Sequence, residues 1–205
     1  MTSAFLFDIG NVILPFDFSI AAHRISPHCD LEPEAAFREV SQLTDSLELG
    51  HLDAPGFIAE ASKRIGYRGT PEFFHDSFAD IFNPNERIIS LIERIHAAGV
   101  PLHLLSNTNP IHVSFFESAY PVFALFKGRI YSHEVGAMKP DPKIYEITLS
   151  RLELDPATTV YIDDLAANCE AGREAGLLSL QYLPDDPDSF YEELERHLPP
   201  SVQGN

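Results

Sequence analysis

The sequence has no tryptophan, only two cysteines and two methionines, and 14 basic residues against 31 acidic ones. Each shortage excludes something. Cys29 and Cys169 are too few for a disulfide framework, and no Cys/His spacing of the zinc-binding kind surrounds them, so a reducing, cytoplasmic setting is expected. A net charge of -17 disfavours nucleic acid and anionic membrane surfaces as partners, because both are polyanions that select basic patches. No apolar run approaches the ~20 residues that cross a bilayer. The opening MTSAFLFDIGNVIL lacks a basic segment ahead of its apolar stretch and carries Asp8 inside it, which reads as a buried strand rather than a signal peptide. Internal repeats and low-complexity stretches are also missing, which argues against a solenoid.

What is present is a core. Hydrophobic residues make up 44% of 205 positions, enough for one packed domain with room for a small insert. Three short apolar runs read as buried strands: Phe5–Phe7, Leu102–Leu105 and Val160–Ile162. Continuous apolar strands suit a parallel sheet covered on both faces. Helical patterns lie between them. Ile88, Leu91, Ile92 and Ile95 share one face and stop at Gly99; Tyr145, Leu149 and Leu152 share another; Asp164 to Ala175 forms a third, closed by Gly176. Strands alternating with helices predict an α/β fold, a Rossmann-like doubly wound parallel sheet. Residues 16–82 contain no such strand. Ala36, Val40, Leu43 and Leu47 predict one amphipathic helix and Ile58, Ala61 and Ile65 another, so a small helical cap is expected between two parts of the core, 1–15 and 83–205.

Ligands of open α/β sheets bind beyond the carboxyl ends of the strands. The first strand is followed by Asp8-Ile9-Gly10-Asn11, the second by Ser106-Asn107-Thr108-Asn109, the third by Asp163-Asp164 with Asn168 a turn later. Gly136-Ala137-Met138-Lys139-Pro140 lies between the last two. Carboxylates that meet at one sheet edge repel unless a cation sits among them. Oxygen ligands without His or Cys favour Mg²⁺. With a lysine and a hydroxyl nearby, this donor set describes a phosphate site, and a carboxylate beside it can attack phosphorus.

These four segments, in this order and at these strand ends, resemble the motifs of the haloacid dehalogenase-like hydrolase superfamily from Phe5 to about Gly176. Within it, FDIGNVI, LSNTN, GAMKPDPKIYE and IDDLAANCEAG look most like bacterial α-D-glucose-1-phosphate phosphatases and related sugar-phosphate phosphatases. The resemblance implies a Mg²⁺-dependent phosphatase acting on a small sugar phosphate. It makes Asp8 the nucleophile and gives Ser106, Asn107 and Lys139 to the phosphoryl group. It places Asp8, the Gly10 carbonyl and the Asp163–Asp164 pair on the metal, with Asp164 favoured as the direct ligand. The insert matches the family's helical cap.

The family's usual second Asp, which serves as acid and base, is replaced by Gly10. Asp17 is a candidate substitute if it reaches over the site. Two alternatives follow from the same residues: a metal-independent 2-haloacid dehalogenase, which also lacks the second Asp, and an impaired protein that binds phosphometabolites without turnover. A third, a pure interaction module with an acidic surface, makes Asp8 dispensable. Of the other singled-out residues, His103 reads as a satisfied core histidine, and His112 and His133 as neighbours of the motif loops. Cys169 reads as packing, Phe16 and Phe18 as core or cleft lining, and the acids from Asp185 to Glu195 as a solvated helix face.

Overall fold

The computed structural model describes residues 2–203. Strand β1 (Ala4–Phe7) is followed by five helices: α1 (Phe18–Ile25), α2 (Pro33–Ser41), α3 (Thr44–Glu48), α4 (Ala54–Ile65) and α5 (Pro71–Ala79). Helix α6 (Glu86–Ala97), β2 (Leu102–Ser106), α7 (Pro110–Ala119), β3 (Gly128–Tyr131), α8 (Ser132–Val135) and α9 (Pro142–Arg151) come next. The chain continues through β4 (Thr159–Asp163), α10 (Ala166–Glu174), β5 (Leu178–Gln181) and α11 (Pro187–Leu194). The five strands form one sheet of order β3-β2-β1-β4-β5 in which every pair is parallel. No helix among the described residues is long and apolar enough to cross a membrane.

The three runs expected as strands are the three central ones, and each is buried along its whole length. Alternation along β1 divides the core. Phe5 and Phe7 pack with Ile88, Leu91, Ile92 and Ile95 of α6 and with Phe190 and Leu194 of α11. Leu6 points the other way, to Ile144 and Tyr145 of α9 and Tyr161 of β4. Truncating any of these to Ala costs about 2–5 kcal/mol. Helix α6 starts at Asn85, whose side chain accepts from the Ile88 N–H, and the chain leaves it through Gly99 at φ 78°, where a Cβ is unfavourable. In α9 the buried stripe is Ile144, Tyr145 and Thr148, so Leu149 and Leu152 sit at its edge. The acids between Asp185 and Glu195 are exposed, as a solvated face requires.

The single helix expected through Ala36, Val40, Leu43 and Leu47 is instead two. Ser41 Oγ and Gln42 Nε2 both donate to the Arg38 carbonyl, and Thr44 Oγ1 donates to the Ser41 carbonyl. Side chains thus take acceptors that a continuing helix uses, and the backbone breaks at Gln42–Leu43. The four apolar residues still share one cluster with Phe57, Phe74 and Phe78, and Ile111 of α7 completes it. The insert is joined to the sheet by two chain crossings that pair with each other: Asn83 N–H donates to Pro15 O at 2.8 Å and Asp17 N–H to Ile81 O at 3.0 Å.

Candidate active site

Strand register gathers the expected residues at the carboxyl edge of the sheet. Phe7 pairs with Ile162, and the Asp8 N–H donates to the Ile162 carbonyl at 2.8 Å, so Asp8 lies beside Asp163, the last residue of β4. Ser106 ends the neighbouring strand β2, and Lys139 arrives on the loop after α8. All four are buried.

Lys139 ties the cluster together. Its Nζ is 2.9 Å from Asp8 Oδ1 and 2.6 Å from Asp163 Oδ2, and it donates to the Leu105 carbonyl at 3.1 Å. Asn107 fixes the loop that carries it: Asn107 Nδ2 donates to Lys139 O at 2.9 Å, and Lys139 N–H donates to Asn107 Oδ1 at 2.8 Å. The Asn107 side chain is therefore engaged by backbone, leaving its N–H rather than its amide for a ligand. Asp163 is also fully engaged. Its Oδ1 accepts from the Leu165 N–H and Asn168 Nδ2, both at 2.9 Å, and its Oδ2 from Lys139 and from the Tyr161 hydroxyl at 2.5 Å. Asn168 is thus neither a surface residue nor a free one. Asp164 is half-buried and accepts one bond on Oδ2, from Asn11 Nδ2 at 3.1 Å. Asn11 sits at φ 54°, a left-handed position that Asn adopts more readily than most residues.

Charge does not balance here. Oxygens of Asp8, Asp163 and Asp164 lie within 4.8 Å of one another, around one ammonium. Burial pushes the Asp8 carboxyl up to about 7 despite the pull of Lys139, with Asp163 and Asp164 adding to the rise. Burial also raises Asp164. Asp163 stays below the usual carboxylate range, because Lys139 and its hydrogen bonds outweigh the burial that would raise it. Lys139 is held above the ordinary lysine range, its two carboxylate partners outweighing its burial. Asp8 Oδ1 is buried against the Lys139 ammonium. An excess of negative charge over that one cation and a donor set made only of oxygen suit a hard dication such as Mg²⁺.

Across the cleft stands the helical insert. Phe16, Phe18 and Glu48 line the same space as Gly10, Ser106 and Asn107. Phe16 and Phe18 are therefore cleft residues, in edge contact with each other at 5.3 Å between ring centroids. A Cβ added at Gly10 would lie 2.9 Å from Phe16 Cε1, so the ring occupies the space that a side chain at position 10 would enter. Glu48, the last residue of α3, is half-buried, and burial pushes its carboxyl up to about 7, with Asp45 and Asp8 adding to the rise.

Asp17 does not reach the site. It caps α1, accepting from the Ser19 N–H at 2.8 Å, and is exposed. His112 lines the cleft, but both ring nitrogens are occupied, Nδ1 by Asn109 Nδ2 at 2.9 Å and Nε2 by Phe78 O at 3.0 Å. His133 Nδ1 bonds Thr108 O at 3.0 Å, and Cys169 is buried packing. His103 is a core residue, as expected, yet its Nδ1 has no partner. Sequence reasoning quoted Asn11 within FDIGNVI and Tyr161 within a strand without giving either a role, and it missed Glu48. Glu48 carried no signal beyond its place on the polar side of an amphipathic pattern.

Comparison with known proteins follows the same lines. The family model of haloacid dehalogenase-like hydrolases matches residues 2–176. The D-ribitol-5-phosphate phosphatase of Bacteroides thetaiotaomicron is 25% identical over 207 residues, covering 95% of this chain and 97% of that protein. Mouse acyl-CoA dehydrogenase family member 10 is 33% identical over 108 residues, 52% of this chain but only 10% of that much longer protein. Among solved structures, a HAD-family enzyme of Bacteroides thetaiotaomicron in complex with magnesium and inorganic phosphate superposes with a TM-score of 0.78 at 22% identity, over 89% of this chain and 95% of that one.

Proposed function

This chain belongs to the haloacid dehalogenase-like hydrolase family, and from that premise we propose that it is a Mg²⁺-dependent phosphomonoesterase for small phosphorylated metabolites. The observation that carries this reading is the gathering of Asp8, Asp163 and Asp164 carboxylate oxygens within 4.8 Å of one another around the one ammonium of Lys139. Asp8, the Gly10 carbonyl and Asp164 would hold the magnesium, which would supply the positive charge that the cluster lacks. Asp163, with every acceptor direction used, positions Lys139 more readily than it takes a share of the metal.

An Asp8 carboxylate oxygen attacks phosphorus, and the bond from phosphorus to the ester oxygen breaks. The electron pair leaves with that oxygen, which must gain a proton. Water then attacks the phosphorus of the aspartyl-phosphate, and Asp8 is released with inorganic phosphate. Lys139 neutralises Asp8 and the transferring group, while Ser106 Oγ and the Asn107 N–H hold phosphoryl oxygens. Positioning and charge stabilisation supply most of such a rate enhancement. The insert, residues 16–82, acts as the cap over a core of 1–15 and 83–205, and the narrow aromatic cleft beneath it suits a small leaving group. A sugar or polyol phosphate is the favoured class. Glucose 1-phosphate is one candidate, and the relative named as a D-ribitol-5-phosphate phosphatase adds a polyol phosphate.

Dehalogenation without metal leaves Asp164 and its Asn11 tether without a purpose. Gly10 does favour one second reading, phosphometabolite binding without turnover. A phosphate-release screen over sugar, polyol and glycolytic phosphates, with Mg²⁺ and EDTA arms, separates them. Turnover is expected with Mg²⁺ and lost with EDTA and in Asp8→Asn. A flat screen, with Mg²⁺ and phosphate still raising the melting temperature, establishes the binding reading.

A further inference from the structure

The phosphoryl transfer above needs a proton donor to the leaving oxygen and an acceptor for the attacking water's proton, and Gly10 can be neither. Phe16 fills the space that a side chain at position 10 would enter, and Asp17, the next carboxylate along the chain, is exposed and engaged in capping α1. The replacement has to come from another wall of the cleft. Of the side chains that line it among the described residues, Glu48 has the one carboxyl and His112 the one imidazole. His112 is excluded by geometry, since both its nitrogens are committed to Asn109 and Phe78. The Glu48 carboxylate has no hydrogen-bond or ion-pair partner among the described residues.

Its position is built, not incidental. The helix break at Gln42–Leu43 makes α3 a separate short element that ends on Glu48. Two residues later Gly50, at φ 71°, lets the chain approach the core so closely that a Cβ there would lie within 2.3 Å of the His133 carbonyl oxygen of α8. Helix α3 is in contact with α8, and Glu48 at its end lines the cleft together with Gly10, Ser106 and Asn107. On this geometry we propose that Glu48, supplied by the insert, is the general acid and base of the reaction, facing Asp8 across the cleft.

Glu48 in its carboxylic acid form gives its proton to the ester oxygen as the P–O bond breaks. The resulting carboxylate then takes a proton from the water that attacks the aspartyl-phosphate, which restores the acid. The charges acting on it are Asp45 on its own helix and Asp8 and Lys139 across the cleft. Its elevated affinity for a proton is in keeping with an acid that begins the cycle protonated. The proposal rests on the phosphomonoesterase reading.

The test exploits leaving-group dependence. An alkyl phosphate needs its leaving oxygen protonated; p-nitrophenyl phosphate does not. Glu48→Gln is expected to slow the alkyl substrate by about 10²-fold or more while the aryl substrate, which also reports that the variant is folded, changes by less than about tenfold. Gly50→Ala, which leaves the carboxyl intact but displaces it, is expected to bias the two substrates in the same direction. Equal loss on both substrates, or no loss on either, overturns the assignment of Glu48 while leaving the phosphatase reading intact. Absence of Mg²⁺-dependent turnover of either substrate by the unaltered protein overturns that reading and this inference together.

Discussion

The two walls of the cleft are made differently. On the sheet side, Lys139, Asp163 and Asn168 are buried and Asn107 half-buried, and each is locked by at least two hydrogen bonds. On the insert side, the wall is aromatic and carries one carboxylate without a partner, Glu48. The difference teaches a division of labour. A phosphoryl group presents the same charge and shape whatever it is attached to, so a rigid polar socket suits it. Leaving groups vary, and a wall of rings with one proton-exchanging group can face many of them. The sheet side is thus where substitution threatens the fold as well as the reaction, and the insert side is where it changes selectivity.

The largest expected effect breaks the locked wall. Lys139→Met leaves Asp163 buried without its cation and is expected to lower unfolding free energy by about 3 kcal/mol or more, measured by urea denaturation, besides abolishing turnover. Equal stability of variant and parent would mean that the wall is not an ion-paired lock. Next comes a contrast in pH dependence. Burial depresses His112 from 6.5 to about 4 in the folded chain, so the unfolded chain binds the extra proton first. His112 therefore costs nothing above pH 6.5, and its burden grows as pH falls from there to about 4. Asp8 and Glu48, raised to about 7, act in the opposite sense, gaining stability as pH falls. Comparison with His112→Asn cancels those carboxyl contributions. Between pH 7 and 4 the parent is expected to lose about 3 kcal/mol relative to the variant in denaturant titrations. Parallel curves would contradict the buried neutral imidazole that joins α5 to α7.

How much of this was readable beforehand follows from burial. The three central strands announced themselves because every residue in them is apolar or enclosed, whereas β3 and β5 did not, since Gly128, Arg129 and Gln181 are only half-buried and interrupt any apolar run. Asp8, Ser106, Asp163 and Asp164 were legible because strand ends are where such sheets place ligand groups, and Lys139 through its place in the motif GAMKPDPKIYE. Tyr161 was not, because its hydroxyl works two residues back from the motif, through a strand face that looks like plain core. Glu48 was not, because its place depends on a helix break made by Ser41, Gln42 and Thr44 and on a close approach at Gly50, neither of which leaves a periodic trace.

A smaller effect sharpens the comparison on the metal. Asn11→Ala removes the side-chain hydrogen bond that tethers Asp164, and Mg²⁺ affinity, read by calorimetry, is expected to weaken about tenfold with the fold unchanged. Unaltered affinity would remove Asp164 from the ligand set. Of similar size, Tyr161→Phe frees one acceptor direction on Asp163 and is expected to cost about 1–2 kcal/mol of stability, seen as a modest drop in melting temperature.

The central claim, that Asp8 is the nucleophile and phosphoryl acceptor in a two-step displacement, is tested most directly by acid quench during turnover followed by peptide mass spectrometry. The account predicts a phosphoryl group on the peptide carrying Asp8, present with Mg²⁺ and absent in Asp8→Asn. Full turnover with no such adduct at any quench time, and with Asp8→Asn still active, would contradict it.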